Sequence, residues 1–345
     1  MKKTKYYYSG AIHIHTQKSD GSGNIQEISK AAKKAGLSFI IITDHNCYDT
    51  EEGFYNGVCV IKGEELSPDN GNHYLALGIN QFISNNPDNP HENADNVRKN
   101  GGFGFAAHPD ESDNRKNKNK PLKWLDKSVD VDGIEIWNWF SDWADNYDDG
   151  NIFKIAYSYL FRQKLIKGAN EKTLEWWDFL NRKNYCIVPA IGGADAHALK
   201  IKKYIIPVTI FRYEYMFKTV TNSVILDNPL TKSFEECKKE ILSSLRKGQN
   251  IIINKRINTN SVIIFRITNE NAEAYSGDKI YLDDKTFLTT ELPCNATICI
   301  LKNGQEIHKQ SGRILKYKIE EKGKYRIQAS YKNKPYVYSN PILVE

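Results

Sequence analysis

Short apolar runs alternate with polar, helix-like stretches from residue 10 to about residue 200. The apolar runs are Ala11–His15, Phe39–Thr43, Val58–Gly63, Tyr74–Ile79, Gly104–Ala107, Gly133–Trp137 and Ile187–Ile191. The polar stretches carry helix signals: Asn24 and Glu27 have the spacing of a capping box, and Gly36 is placed to end that helix. Further helices are predicted over Glu92–Asn100 and Glu171–Arg182. Strands that alternate with helices favour an α/β fold with a mainly parallel sheet, open or closed into a barrel.

One stretch is too long for a simple connection between strands. Residues Phe140–Leu180 are rich in Tyr, Trp and Phe and predict an inserted helical lid. Its aromatic side chains either stack on a substrate or pack the insert onto the rest of the domain, and packing is the more common role for such residues.

The pattern changes towards the carboxyl end of the chain. Ser233–Lys247 predicts an amphipathic helix that is capped by Ser233 and closed by Gly248. After about residue 255, β-like runs are separated by turn signals, among them Asn303-Gly304, and this spacing indicates a small antiparallel β-sandwich. The expected division is therefore a domain over residues 1–250 and an Ig-like sandwich over residues 251–345.

The amino-acid composition limits which binding partners and which cellular compartment are expected. The 345 residues include 48 Lys and Arg against 42 Asp and Glu, a mild net charge of +6. The densest basic run, Arg115–Lys120, alternates with asparagine, which favours a solvated loop and gives a nucleic-acid partner only weak support. Six cysteines without a CxxC pair are typical of a reduced, cytoplasmic protein. No run has the length of a membrane helix, and the basic amino terminus has no apolar signal-peptide core, so no membrane partner is expected.

Ionisable residues recur where the apolar runs end. The clusters are His13-x-His15 with Asp20, Thr43-Asp44-His45-Asn46, Gly63-Glu64-Glu65 with His73, Ala107-His108-Pro109, and Asp195-Ala196-His197. Side chains two apart on a strand share a face, so His13 and His15 can grip one ion. In parallel sheets and barrels such strand ends converge on one site.

This set of residues predicts a polynuclear metal centre. Six of the eight histidines lie in these clusters, and burying so many ionisable groups without a compensating ion is costly. Imidazole combined with carboxylate suits Zn, Mn or Fe, and nine candidates are enough for two or three divalent ions.

The ordered motifs resemble those of the PHP (polymerase and histidinol phosphatase) superfamily. HIHTQKSDG, ITDHN, GEELS with a following histidine, AHP and ADAH carry this resemblance over residues 10–200. GLSFIIITDHN, GNHYLALG, DGIEIWN and the terminal SNPILV are similar to the CehA/McbA-type branch of metal-dependent phosphoesterases. The resemblance implies a distorted, TIM-like (β/α)7 barrel with a di- or trinuclear metal centre, and a small appended β-rich domain.

The resemblance also assigns roles to single positions. His13, His15 and Asp195 would hold one ion, and Glu65 would bridge to a second ion held by His73 and His108. Asp20, His45 and His197 would hold a third ion. Glu65 is preferred to Glu64 because the family motif reads Gly-x-Glu. The residues expected to carry catalysis are His13, His15, Glu65, Asp195 and His197. Neighbouring candidates for contacts to these ligands or to substrate are Asp44, Asn46, Glu64, Glu135 and Asn138.

The expected activity is hydrolysis of a small phosphorylated substrate, a phosphomonoester or a small phosphodiester, by a metal-bridging hydroxide. Two alternatives remain open at this point. The same centre could cleave a carbon ester or a carbamate, or the fold could be a metal-stabilised binding module without catalysis.

Overall fold

The computed structural model of the chain describes residues 4–111, 122–146, 157, 159–201, 208–259 and 262–345. The basic run Arg115–Lys120 lies outside the described residues, so its predicted loop stays a prediction.

Strands in the first 254 residues supply the frame of the molecule. They are β1 (Tyr6–Ala11), β2 (Phe39–Ile42), β3 (Gly53–Tyr55), β4 (Val58–Lys62), β5 (Glu64–Leu66), β6 (Tyr74–Leu77), β7 (Phe103–Ala106), β8 (Gly133–Asn138), β9 (Ala190–Gly193), β10 (Lys200–Ile201), β11 (Val208–Thr209), β12 (Val220–Leu226) and β13 (Asn250–Asn254).

The helices lie between these strands. They are α1 (Ile25–Lys34), α2 (Pro90–Lys99), α3 (Trp139–Asp145), α4 (Arg162–Leu165), α5 (Glu171–Lys183), α6 (Tyr213–Met216) and α7 (Phe234–Arg246). The predicted capping box of α1 is present, with Asn24 Oδ1 accepting from Glu27 N and Glu27 Oε2 from Asn24 N. Ser233 is the N-cap residue of α7, as predicted, although its side chain makes no capping hydrogen bond. Among the described residues, no helix combines the length and the apolar character needed to cross a membrane.

The carboxyl-terminal strands are antiparallel in most of their pairings. They are β14 (Ile264–Thr268), β15 (Glu273–Tyr275), β16 (Lys279–Ile280), β17 (Phe287–Lys302), β18 (Gln305–Lys318), β19 (Gly323–Tyr331), β20 (Lys334–Ser339) and β21 (Ile342–Val344). The predicted Asn-Gly hairpin joins β17 to β18, with φ of +51° at Asn303 and +86° at Gly304. Both turn residues have the positive φ that a tight two-residue hairpin requires.

Two sheets organise the α/β fold. A large mixed sheet runs in the order β15-β14-β17-β19-β20-β13-β12-β1-β2-β4-β3, with β16, β18 and β21 attached to it, and a second sheet runs β5-β6-β7-β8-β9. The carboxyl-terminal strands therefore continue the sheet formed by the strands of the first 254 residues, because β20 pairs with β13.

The two sheets meet at two seams. At one, the backbone N–H of Gly63 donates to Ile42 O over 2.7 Å and that of Asn46 donates to Glu65 O over 2.9 Å. At the other, His15 N donates to Ala196 O over 3.0 Å. These bonds bring the carboxyl ends of β1, β2, β5 and β9 to one place.

Side-chain amides hold the free edge of β9. Asn222 accepts from Gly192 N over 3.0 Å and donates to Gly192 O over 2.7 Å. Asn340, just beyond β20, accepts from Ala190 N over 2.7 Å. The amides replace the ladder that a neighbouring strand would supply, and this fixes the strand that leads to Asp195.

The aromatic insert mainly packs against the fold. Trp143, Trp176 and Trp177 of the insert are buried in the hydrophobic core, as is the adjacent Trp139. Of the two roles expected for the aromatic residues of the insert, packing is the one observed for its three tryptophans. Phe140 is only partly buried and lies towards the site described next.

Candidate metal centre

The structure gathers the nine predicted metal ligands at adjoining strand ends. His13 and His15 follow β1, Glu65 belongs to β5, His108 follows β7, and Asp195 follows β9. Eight of the nine are buried or largely buried, and Asp20, with its side chain 56% exposed, lies at the rim.

Glu65 lies at the middle of this cluster. Its Oε2 is 3.1 Å from His13 Nε2 and 3.4 Å from His15 Nε2. Its Oε1 is 2.8 Å from His73 Nδ1 and 3.3 Å from His108 Nε2. Glu65 Oε2 is also 3.0 Å from His45 Nδ1. One fully buried carboxylate therefore faces five imidazoles, which is the position expected of a bridging ligand.

Asp195 contacts two of the same imidazoles and that of His197. Its Oδ1 is 3.3 Å from His15 Nε2, 3.6 Å from His13 Nε2 and 3.4 Å from His197 Nδ1. Asp195 and Glu65 thus approach the same Nε2 atoms of His13 and His15.

Asp20 completes the rim. Its Oδ1 is 3.1 Å from His197 Nε2 and its Oδ2 is 3.7 Å from His45 Nε2. Ligand atoms within 4.8 Å of one another form three overlapping groups: His15, Asp20, His45 and His197; His13, His15 and Glu65; and His45, Glu65 and His73. Because the groups share members, the cluster is continuous.

The donor atoms fit divalent transition-metal ions. Both ring nitrogens of His15 are buried and lack a hydrogen-bond partner, which is costly for a polar group unless something binds there. The ring of His15 stacks on those of His197 and His45, with centroids 4.1 and 4.3 Å apart. Imidazoles combined with carboxylates match the preferences of Zn, Mn and Fe.

Burial and the close spacing of charged groups shift the pKa values of several side chains in the cluster. Burial and the neighbouring His197 lower the pKa of His15 to about 4, which favours the neutral, ligating form of that imidazole. Burial opposes charge on Glu65 too, but His45 and His13 hold the pKa of this carboxyl well below its usual value. Burial alone would lower the pKa of His13, yet Glu135 and other carboxylates raise it well above its usual value. The carboxylates therefore stay ionised and attract positive charge.

The backbone is strained at three predicted ligands. His13, His108 and Asp195 have φ of +65°, +29° and +50°, a region that residues with a side chain seldom adopt. Such strain is commonly found where the fold fixes functional groups.

Glu135 and Asn138 support the cluster from β8. Glu135 Oε1 lies 2.8 Å from His13 Nδ1, and its Oε2 accepts the backbone N–H of His108 over 2.7 Å. Asn138 Nδ2 donates to Glu135 Oε2 and to Asp195 Oδ2, over 3.1 and 3.3 Å. Gly193 leaves the necessary space, since a Cβ there would lie 1.6 Å from Glu135 Oε1.

Three other predicted candidates lie beside the cluster, but their side chains form hydrogen bonds with residues outside it. Asp44 accepts from Thr16, Ser19 and Thr50 and so fixes the loop after β1. Asn46 pairs its amide with the backbone of Ser67.

Glu64 is the third. It accepts from Ile83 N over 3.0 Å and makes no contact with the cluster. Burial raises the pKa of Glu64 to about 7.

Three supporting residues were not predicted from the sequence. Glu111 Oε2 lies 3.3 Å from His108 Nδ1 and accepts from Ser141 Oγ over 3.0 Å. Ser67 Oγ lies 2.6 Å from His45 Nδ1. Tyr213 donates to the backbone oxygen of His15 over 2.7 Å, from 198 residues away in sequence. Glu111 had a local signal, as a carboxylate three residues after His108, and Ser67 belongs to the GEELS motif, whereas Tyr213 had no local signal.

Comparison with protein families supports the resemblance seen in the motifs. Residues 11–83 match the model of the PHP domain family. The predicted resemblance to the PHP superfamily is confirmed by this match, which does not test the CehA/McbA-type branch.

Individual proteins are similar to the chain at lower levels. An uncharacterized protein of Methanocaldococcus jannaschii is 28% identical over 179 residues, covering 47% of this chain and 93% of that protein. A two-domain protein containing a predicted PHP-like metal-dependent phosphoesterase, from Bacteroides vulgatus, is 12% identical with a TM-score of 0.48, covering 98% of this chain and 95% of that one. PsfC from Pseudomonas syringae is 14% identical with a TM-score of 0.40, covering 70% and 89%. Both TM-scores lie below 0.5, too low to establish a common fold.

Proposed function

We propose that this chain, which carries a PHP domain, is a metal-dependent hydrolase that cleaves a phosphomonoester or a small phosphodiester. The observation that carries the proposal is the position of Glu65 among His13, His15, His73 and His108, every contact being 3.4 Å or shorter.

The ligand assignment follows the three regions of the cluster. His13, His15 and Asp195 would hold one ion, Glu65 would connect it to a second ion at His73 and His108, and Asp20, His45 and His197 would hold a third. Two or three ions of Zn, Mn or Fe suit these donors. When bound, such ions supply an activated water and neutralise charge on phosphoryl oxygens.

The protein's own groups orient the ligands. Glu135 Oε1 would hold a proton on His13 Nδ1, which would leave the lone pair of His13 Nε2 free to bind an ion together with the nearby carboxylates of Glu65 and Asp195. Asn138 keeps Glu135 and Asp195 in a fixed relation. These buried contacts prepare the site before substrate arrives, which lowers the cost of organising it during the reaction.

We also propose a domain architecture. Residues 1–250 would form a distorted (β/α)7 barrel, and residues 251–345 would form an appended β-sandwich. The backbone bonds at the two sheet seams support the barrel. The long β17–β18 hairpin supports the sandwich.

The test is hydrolysis by protein loaded with Zn, Mn or Fe over a panel of phosphomonoesters and phosphodiesters, with carboxylic esters and carbamates assayed in parallel. We expect phosphate or alcohol release that chelation abolishes and metal restores. Cleavage of carbon esters or carbamates alone, or metal-replete protein that is inactive on the whole panel, would overturn the proposal.

A further inference from the structure

A cavity of about 330 Å³ opens over the metal-ligand cluster. Six of the predicted histidine and aspartate ligands form its floor, and the rest of the described lining is Glu111 with three apolar side chains, Leu122, Phe140 and Leu199. This volume is near the lower end of the range for ligand pockets, so it suits a compact molecule.

Phe140 packs between the ligand cluster and the aromatic core. Its ring centroid lies 5.9 Å from that of His197 and 5.9 Å from that of Phe211. The helix that carries Phe140 begins after Asn138, whose amide donates to Asp195 over 3.3 Å. The apolar surface of Phe140 therefore lies directly beside the predicted metal ligands.

Of the described lining residues, Asp20 and Asp195 are predicted metal ligands, so the wall beside the ions consists of Glu111 and the three apolar side chains. Neither lysine nor arginine is found among the described residues that line the cavity. A carboxylate or a second phosphate on the organic group of the substrate would lose water against these apolar side chains without gaining a cationic partner from the described lining. A hydroxylated substituent would lose water against Leu122, Phe140 and Leu199 without gaining partners.

We propose that this cavity selects phosphoesters whose organic substituent is compact, uncharged and apolar, such as a phenyl group, and that Phe140 is the specificity-determining side chain. The inference rests on the proposed phosphoesterase function. The proposal concerns which organic group the cavity binds, so it applies to phosphomonoesters and phosphodiesters alike.

The test measures dissociation constants of the metal-loaded full chain by calorimetry. The probes are phenylphosphonate, 2-hydroxyethylphosphonate and phosphonoacetate, which share the phosphonate and differ in the organic group. We expect phenylphosphonate to bind at least about 10-fold more tightly than the other two, as apolar groups in apolar pockets do.

Two variants locate the effect. Phe140→Ala should reduce the preference for phenylphosphonate to below about 3-fold and leave the affinity for 2-hydroxyethylphosphonate within about 2-fold. Phe179→Ala, which removes an exposed ring of α5 outside the cavity, should leave all three affinities unchanged. If Phe140→Ala does not fold, the preference of the wild-type chain for phenylphosphonate alone tests the proposed substrate class.

The outcomes separate the two proposals. Equal affinity for the three phosphonates, or tightest binding of phosphonoacetate, would overturn the substrate class and leave phosphoester hydrolysis standing. Failure of the metal-loaded chain to bind any phosphonate would overturn both.

Discussion

Oε1 of Glu135 lies 2.8 Å from Nδ1 of His13, and both side chains are fully buried. The other oxygen of Glu135 accepts the backbone N–H of His108 over 2.7 Å. One carboxylate on β8 therefore orients two predicted metal ligands that come from different strands. Carboxylates in this relation to ligating histidines fix the ring and increase its basicity.

Replacing Glu135 should weaken metal binding without removing a ligand. We expect Glu135→Ala to lower the affinity for Zn by about 10- to 100-fold, because His13 loses its orienting partner. Competition with a chromogenic chelator measures this. Glu175→Ala, at an exposed position on α5, is the control and should bind Zn as the wild type does. Unchanged affinity in Glu135→Ala would contradict the orienting role.

Adjacent glutamates on β5 provide a matched pair. Glu65→Gln should lose at least about 10-fold in metal affinity and most hydrolytic activity, because its carboxylate faces five imidazoles. Glu64→Gln should keep both, because Glu64 contacts Ile83 N and burial raises its pKa to about 7. Elemental analysis and an activity assay on both variants check this. Equal losses in the two variants would contradict the assignment of Glu65.

A buried ion pair connects the carboxyl-terminal strands to the insert. Arg326 on β19 binds both carboxylate oxygens of Asp178 on α5, over 3.0 and 2.7 Å. Asp178→Asn should reduce the free energy of unfolding by about 3–5 kcal/mol, because it leaves a buried guanidinium without its counter-charge. Denaturant unfolding measures the change. Glu270→Gln, which breaks an exposed pair with Lys285, should cost less than about 1 kcal/mol. A similar small cost in Asp178→Asn would refute the prediction.

Asp142 should make stability depend on pH. Burial raises the pKa of Asp142 to about 6, against a usual value of 3.8, although Trp137 and Gly168 donate hydrogen bonds to it. The folded state therefore binds this proton more tightly than the unfolded state. Its contribution to stability is full below about pH 4 and is lost as the pH rises through about 6.

The variant Asp142→Asn isolates this contribution. Between pH 5 and pH 8 the stability of the wild type relative to Asp142→Asn should fall by about 1 kcal/mol. Unfolding curves of both proteins at each pH give the difference, in which the titration of the metal ligands cancels. A difference that is constant with pH would show that Asp142 does not titrate in this range.

The location of candidate ligands at strand ends could be predicted from the sequence, because the apolar run and the ionisable residue after it are both local features. An apolar run predicts the strand, and a His, Asp or Glu directly after it is placed at the sheet edge, as His13, Glu65 and Asp195 are. Asp44 also follows an apolar run, yet its carboxylate accepts hydrogen bonds from Thr16 and Thr50 and does not join the cluster. The sequence at the end of a run does not predict where each side chain points.

Contacts made by tertiary folding had no such signal. Tyr213 reaches His15 O, and Asn340 reaches Ala190, across 198 and 150 residues. The pairing of β20 with β13 joins segments whose own patterns predict strands but not partners. The continuity of the large sheet from the strands of the first 254 residues into the carboxyl-terminal strands therefore required the structure.

Metal stoichiometry tests the central claim most directly. Protein loaded with Zn, Mn or Fe, freed of excess ion by gel filtration and measured by elemental analysis, should retain two or three equivalents per chain, and Glu65→Gln should retain fewer. Fewer than two equivalents in the wild-type protein would contradict a polynuclear centre at His13, His15, Glu65 and Asp195.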